Sequence, residues 1–317
     1  MNKVKKTPMK ILKLRILKDF FFIIVITLCF YLAKPMQSSL VVFIPQGGVN
    51  TIITHLNKNQ FDVGKFDAIL IHLFGKPQSG WLEIKKTTLS KGDFLYKLTS
   101  AKAALIDVQL IPGETLYFFV KILSEGLGLD EAKLMESYFK YAPNYLDGVI
   151  LANTYKVPKG IKEEHLMYFL VNSSMKMHQK WSVKLLGEYD EKQWFRYVTI
   201  ASIIQKESAN IEEMPLVSAV IHNRLKLKMP LQMDGSLNYG KYSHTKITPK
   251  MIQNDTTTYN TYKYSGIPKY PVGSVSFDAI KAAIFPANVD YLYFVRNKNG
   301  VHSFSKTYKE HINNFNN

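Results

Sequence analysis

The feature that most constrains this chain is a charge-free apolar run near its start. Phe20 to Ala33 reads FFFIIVITLCFYLA. Seven cations, Lys3, Lys5, Lys6, Lys10, Lys13, Arg15 and Lys18, precede it against Asp19 alone. Fourteen helical residues reach only about 21 Å, short of a hydrocarbon core of about 30 Å. Ile11, Leu12, Leu14, Ile16 and Leu17 carry the apolar character backwards, and Lys13, Arg15 and Lys18 can snorkel to headgroups. Lys34 is the single cation just after the run, so the charge asymmetry predicts the N-terminus inside and the remainder outside. A cleaved signal peptide is the competing reading, but the exit YLAKPMQSS offers no small-x-small site, and Thr27-Leu28 before Cys29 does not suit a lipoprotein site. The expectation is a basic cytoplasmic tail at 1–18 and an uncleaved single-pass anchor at 19–36 in the cytoplasmic (inner) membrane. The C-terminal part is then periplasmic or extracytoplasmic.

That topology limits the exported part. Cys29 is the only cysteine, so no disulfide can form within the chain and packing alone must hold the fold. The net charge of +16 suits an acidic polymer or a membrane surface, but the lysines beyond the N-terminus are scattered as on ordinary solvated faces. Nucleic-acid binding is disfavoured by the outward topology and by the lack of a basic-aromatic motif. The eight histidines show no HExxH spacing, and no phosphate loop is present, so neither a metal nor another cofactor is expected.

A strand, a glycine-containing turn and an amphipathic helix recur at 41–56 (VVFIPQGGVNTIITHL), 87–100 (TTLSKGDFLYKLTS) and 108–123 (VQLIPGETLYFFVKIL). Pro45 and Pro112 close strands, and Gly47, Gly92 and Gly113 permit the turns. Units this small bury their apolar faces only against one another, which predicts a small α+β region over 40–125. Residues 126–190 read as a helical connection. The last region, 191–317, starts with helices at 191–207 and 213–228. A Gly-, Pro-, Thr-, Asn- and Tyr-rich stretch follows from Met229 to Gly273, then a short helix at 281–284. A hairpin of YLYFV (291–295) with VHSFS (301–305) comes last.

Within YVTIASIIQKES, Ile200, Ile203, Ile204 and Glu207 stand at i, i+3, i+4 and i+7, so a carboxylate ends an apolar stripe. If that face is buried, desolvation keeps Glu207 protonated near neutral pH, as general-acid cleavage of a glycosidic bond requires. The helix pattern alone equally fits a solvated glutamate in a last turn. Ser208 follows directly, and the loops beyond carry amides and tyrosines suited to sugar: Gln232, Asp234, Asn238, Tyr239, Tyr259, Asn260 and Tyr262.

The succession IASIIQKES, HNRLKLKMPLQMDGSLNYG, YNTYKYSGIPKYPVGS and KAAIFPANVDYLYFVRNKNGVHSFSKTYKEH resembles the MltG (YceG-like) family of endolytic murein transglycosylases over residues 197–311. Upstream, IPQGG, LSKGDF, IPGETL and DGVILANTY resemble that family's LysM-like region and its connection. The resemblance implies an α+β protein: a transmembrane helix, a LysM-like region and a mixed helical/β catalytic domain. It implies a lyase that cuts peptidoglycan strands internally, with Glu207 as acid and base. Ser208, Gln232, Asp234, Tyr239, Tyr259, Asn260, Thr261 and Tyr262 would meet substrate. Gln205 stands where the family commonly has an earlier glutamate, and LQTDP appears here as Leu231-Gln232-Met233-Asp234-Gly235. The implied partners are glycan strands and membrane peptidoglycan synthases. A non-catalytic wall-binding scaffold, and a hydrolytic muramidase with Asp234 as second acid, are the rival readings.

Overall fold

The structure, a computed structural model, describes residues 9–316. Residues 1–8 of the basic tail, with Lys3, Lys5 and Lys6, lie outside the described residues. The fold is mixed α+β, with twelve α-helices and four two-stranded sheets among the described residues. Among the described residues the chain packs as two compact units, one running to Ile106 with Pro158–Gly160 and the other comprising Asp107–Val157 and the residues from Ile161 onward. This packing boundary lies earlier than the changes of sequence texture at 125 and 190.

In the first unit, α1 (Met9–Ala33) is a single helix. Its stretch Lys13–Ala33 is long and apolar enough to cross a membrane, and none of it is buried inside the protein. Beyond it, β1 (Pro35–Gln37) and β2 (Val41–Ile44) lead into α2 (Val49–Lys58) and α3 (Lys65–Phe74), then β3 (Gly80–Glu83), β4 (Thr88–Ser90) and α4 (Lys91–Ser100). β1 pairs antiparallel with β4, and β2 with β3 in the register Val42↔Leu82 and Ile44↔Gly80. Ile52, Ile53 and Leu56 of α2 fall on one buried face, as their spacing predicts. They meet Ile44, Ile71, Ile84, Phe94, Leu95 and Leu98 in one core. Each such side chain contributes about 1.5–3 kcal/mol by leaving water, which a unit without disulfides needs. The second repeat differs from expectation in one detail. Gly92 sits inside the first turn of α4, which Ser90 caps by accepting from Asp93 N–H at 3.1 Å. A Cβ at Gly92 would stand 3.2 Å from Leu32 Cβ, so the missing side chain admits the end of α1.

The second unit is built on β5 (Leu105–Leu110), α5 (Leu116–Leu127), α6 (Glu131–Tyr141), β6 (Asn153–Pro158), α7 (Glu163–Leu186), α8 (Glu191–Glu207) and α9 (Met214–Lys226). The short α10 (Pro249–Asn254), α11 (Phe277–Ile284), the hairpin β7 (Tyr293–Arg296) and β8 (His302–Ser305), and α12 (Tyr308–Asn316) complete it. The helical connection expected at 126–190 is interrupted by β6, which pairs with β5. Tyr155 and Val157 turn inward while Thr154 and Lys156 stay exposed, a two-residue alternation that marks a strand. The short helix expected at 281–284 begins earlier, where Ser276 accepts from Ala279 N–H. The hairpin forms with Tyr293 opposite Ser305 and Arg296 opposite His302.

Buried α8 organises this unit, packing on α9 and α11. Trp194, Val198, Ile200, Ala201, Ile203 and Ile204 are all out of solvent. Trp194 Nε1–H donates to His178 Nδ1 at 2.9 Å, which leaves the other ring nitrogen to donate to Val149 O at 3.0 Å. Burial lowers the His178 pKa to about 4, so this ring is a neutral structural link between α7 and α8.

Candidate active site

Glu207 occupies the last turn of α8, and Ser208 is the C-cap. The isoleucine stripe beneath it is fully buried, while Glu207 itself is half-buried at the edge of a cavity of about 340 Å³. Its Oε1 accepts a hydrogen bond from Gly235 N–H at 2.6 Å. A Cβ at Gly235 would lie 2.8 Å from both Glu207 Oε1 and Lys206 Cβ, so only glycine allows this approach. Burial raises the Glu207 pKa to about 7; the Gly235 N–H pulls it down, Asp234 pushes it up and Lys206 pulls it down. Near neutral pH this carboxyl exists in both protonation states, which a group that must give and then take a proton needs.

Gln232, Asp234 and Tyr262 line the same cavity. Tyr262 Oη–H donates to Asp234 Oδ1 at 2.7 Å, and burial together with Asp234 drives the Tyr262 pKa upward. Gln232 holds a left-handed backbone with φ of 52°, and its N–H donates to Thr261 O at 3.0 Å. Thr261 Oγ1 accepts from Met233 N–H at 3.1 Å and bonds Ser236 Oγ at 2.9 Å. Thr261 and Asn260 are therefore buried braces behind the cavity. Asn260 Nδ2 donates to Ile252 O and Asp255 O, both at 2.8 Å, and closes its own loop. Tyr239 and Tyr259 stack at 4.1 Å, and Tyr239 Oη–H donates to Asp255 Oδ2 at 2.9 Å. Neither lines the Glu207 cavity, nor does Ser208, whose hydroxyl is buried without a hydrogen-bond partner among the described residues.

Arg224, Tyr293, Phe294, Tyr308 and His311 also line the cavity and went unread in the sequence. Arg224 donates through Nε to Leu292 O at 2.7 Å and through Nη1 to Leu231 O at 2.7 Å, while its guanidinium lies 5.1 Å from the Tyr293 ring centre. It thereby ties the Gln232 loop to the hairpin. The aromatic run YLYFV was the available signal: Tyr293 and Phe294 remain partly exposed where a core strand would hide them. Glu213 secures the hairpin from the other end. Its carboxylate accepts from His302 N–H and Nδ1–H, both at 2.7 Å, and from Ala209 N–H at 3.0 Å.

A second polar cluster lies near Lys206 in the last turn of α8. Asp147 Oδ1 accepts from Leu116 N–H at 2.6 Å at the start of α5, while Oδ2 is buried with no partner. Burial lifts the Asp147 pKa to about 7, with the Leu116 N–H and Lys206 opposing and Glu114 adding to the rise. Lys206 is held low by burial and donates to Ser243 Oγ at 3.0 Å. Among the described residues, no group of three or more His, Cys, Asp or Glu side chains is placed to hold a metal ion.

A curated endolytic murein transglycosylase of Bacillus subtilis (strain 168) is 37% identical over 117 residues, which is 37% of this chain and 32% of that protein. One of Streptococcus pneumoniae serotype 2 is 30% identical over 212 residues, 65% of this chain and 36% of that protein. The chain thus matches about a third of the length of these curated relatives. A crystal structure of a yceG-like protein from Listeria monocytogenes shares the fold, with a TM-score of 0.57 at 23% identity over 86% of this chain and 97% of that one. The YceG-like family model matches residues 42–317, from the start of β2 onward, and the chain belongs to that family.

Proposed function

We propose that this chain is an endolytic lytic transglycosylase, a lyase that cleaves the MurNAc–GlcNAc bond within peptidoglycan strands and leaves 1,6-anhydro-MurNAc ends. The observation that carries the reading is the half-buried Glu207 carboxyl at the edge of a polar, aromatic-lined cavity, where burial raises its pKa to about 7. The relatives named endolytic murein transglycosylase support the same reaction class.

In this reaction protonated Glu207 gives its proton to the glycosidic oxygen as the bond to the muramic anomeric carbon breaks. Positive charge grows on that carbon, and the substrate's own acetamido group stabilises it. The muramic C6 hydroxyl then bonds to the carbon and closes the 1,6-anhydro ring, and its proton returns to Glu207. No water is consumed, so one acid suffices where hydrolysis uses two carboxylates. Gln232, Asp234, Tyr262, Tyr293 and Phe294, which line the cavity, contact the sugar. Tyr239, Tyr259, Asn260 and Thr261 hold the loops in shape, and Ser208 caps α8.

The wider proposal has α1 as an inner-membrane anchor with a cytoplasmic N-terminus, residues 40–125 as a LysM-like glycan-gripping region, 126–190 as a connection and 191–317 as the catalytic domain. Membrane peptidoglycan synthases are its partners, and its cuts limit strand length during wall synthesis. Digestion of glycan in isotopically heavy water tests the reaction class. Products free of heavy oxygen are expected. Incorporation at new reducing ends would mean hydrolysis, with Asp234 as second acid, and glycan binding without turnover would mean a scaffold.

A further inference from the structure

The first unit carries a helix that is apolar on both sides. The inward face of α3 presents Ala68, Leu70 and Ile71 to the core. Its outward face presents Phe66, Ile69 and Leu73, which are 50%, 58% and 76% exposed. These stand at i, i+3 and i+7 and form a continuous stripe. The neighbouring α2 belongs to the same core, yet its exposed residues are Asn50, Thr51, Thr54, Asn57 and Lys58. An exposed stripe of large apolar side chains on one helix of a unit whose next helix is polar outside marks a surface with a partner.

The stripe is continuous with α1. Phe66 meets Tyr31 edge-on at 5.4 Å between ring centres. With Ile23, Ile24, Thr27, Leu28 and Tyr31 it lines an apolar cleft of about 290 Å³ between the two helices. Ile23 to Tyr31 covers about 12 Å of helix axis, so Phe66 stands level with the Ala33-proximal half of the candidate span. The two helices are also clamped together. Tyr31 Oη–H donates to Asp67 Oδ1 at 2.8 Å, Asp67 Oδ2 accepts from Gly64 N–H at 2.7 Å, and Lys91 Nζ lies 3.3 Å from Asp67 Oδ2. Asp67 is fully buried and Lys91 nearly so, and the Lys91 ammonium sits 4.6 Å from the Tyr31 ring centre. Inside a low-dielectric core such a matched pair fixes geometry, because separating it would strand a buried charge.

We propose that α3 is an interfacial membrane helix whose Phe66–Ile69–Leu73 face lies in the acyl-chain boundary of the leaflet where α1 emerges. The proposal rests on reading α1 as a membrane span. Lys65 and Lys76 flank the stripe and reach headgroups, anionic ones preferentially, as on other helices lying in the interface. The anchor is then a two-helix platform that sets the orientation of the first unit against the bilayer, instead of a flexible tether.

The full chain, made with Cys29→Ser and one environment-sensitive dye on a single new cysteine, tests this in vesicles of phosphatidylcholine with a minority of phosphatidylglycerol. Labels at Ile69→Cys and Leu73→Cys should lose about half their emission to lipids bearing a nitroxide near the top of the acyl chain, and resist aqueous iodide. A Thr54→Cys label on α2 should behave oppositely. Iodide quenching at 69 and 73 equal to that at 54 overturns the proposal. Protection from both quenchers also overturns it, since a second copy or another protein then covers the stripe. An Ile23→Cys label reports the underlying reading separately: without lipid quenching there, α1 is not a span and the proposal falls with it.

Discussion

Gly235 N–H donates to Glu207 Oε1 at 2.6 Å, and nothing larger than a hydrogen fits on the Gly235 α-carbon facing that carboxylate. The end of α8 and the Gln232 loop are therefore set against each other at the carboxylate oxygen proposed to transfer the proton. Gly235→Ala should displace the carboxylate while leaving most of the core in place, because α8 also packs on α9 and α11. We expect kcat on glycan to fall by about ten-fold or more, as for a misplaced acid, with unfolding free energy changed by about 1–2 kcal/mol. Digestion rates and denaturant midpoints on the same preparation separate the two.

The pKa of about 7 at Glu207 sets a pH profile. Donation needs the protonated carboxyl, so the rate should fall on an alkaline limb near pH 7, about ten-fold per pH unit. The sign for stability follows from the same shift. Burial disfavours the anion in the folded state only, so the penalty is absent below the ordinary glutamate range, grows as pH rises to about 7, and is constant above. Glu207→Gln should therefore be inactive and, above pH 7, more stable than the parent. Equal melting temperatures at pH 5 and pH 8 for both forms would contradict this.

Asp147 offers an independent case. Its pKa rises from an ordinary 3.8 to about 7 because burial desolvates the carboxylate, whose Oδ2 has no hydrogen-bond partner among the described residues. Asp147→Asn keeps an acceptor for Leu116 N–H and removes the charge. The variant should gain stability relative to the parent as pH rises from about 4 to 7, reaching on the order of 2–4 kcal/mol, then hold that advantage. Urea titrations at pH 4 and pH 8 measure it.

Glu213 works in the opposite sense. Burial alone would raise its pKa, but the hydrogen bonds from the His302 side chain and backbone and from Ala209 hold it below the ordinary value. Its contribution is present at neutral pH and is lost as pH falls through that lowered value. Glu213→Ala leaves three donors unpaired and should cost about 2–4 kcal/mol. Because the hairpin carries Tyr293 and Phe294 of the cavity, KM for glycan should rise more than kcat falls.

Tyr262→Phe removes the donor to Asp234 Oδ1 but keeps the ring. Asp234 is then free to turn into solvent, and we expect kcat/KM to fall about three- to ten-fold, consistent with loss of one charge-assisted hydrogen bond. Steady-state digestion of the variant beside the parent is the check.

Glu207 was legible in the sequence because helical spacing put it at the end of an isoleucine stripe, and that stripe is buried as expected. The hairpin was legible because a four-residue turn joined two aromatic-rich runs. Arg224 was not, since HNRLKLK reads as an ordinary cationic helix end. Only the fold shows that this one cation turns inward to bond the carbonyls of Leu231 and Leu292. Asn260 and Thr261 looked like sugar contacts for the converse reason. Amides and hydroxyls that suit a ligand suit a loop's own backbone equally well, and here the backbone takes them. β6 was hidden inside a helical stretch because its alternation covers only Tyr155 and Val157.

One carboxyl, Glu207, is proposed to perform both proton transfers. Mass spectrometry of glycan strands digested by the parent and by Glu207→Gln decides this. Anhydro-terminated fragments from the parent and intact strands from the variant are expected. Release of anhydro fragments by Glu207→Gln would overturn the assignment.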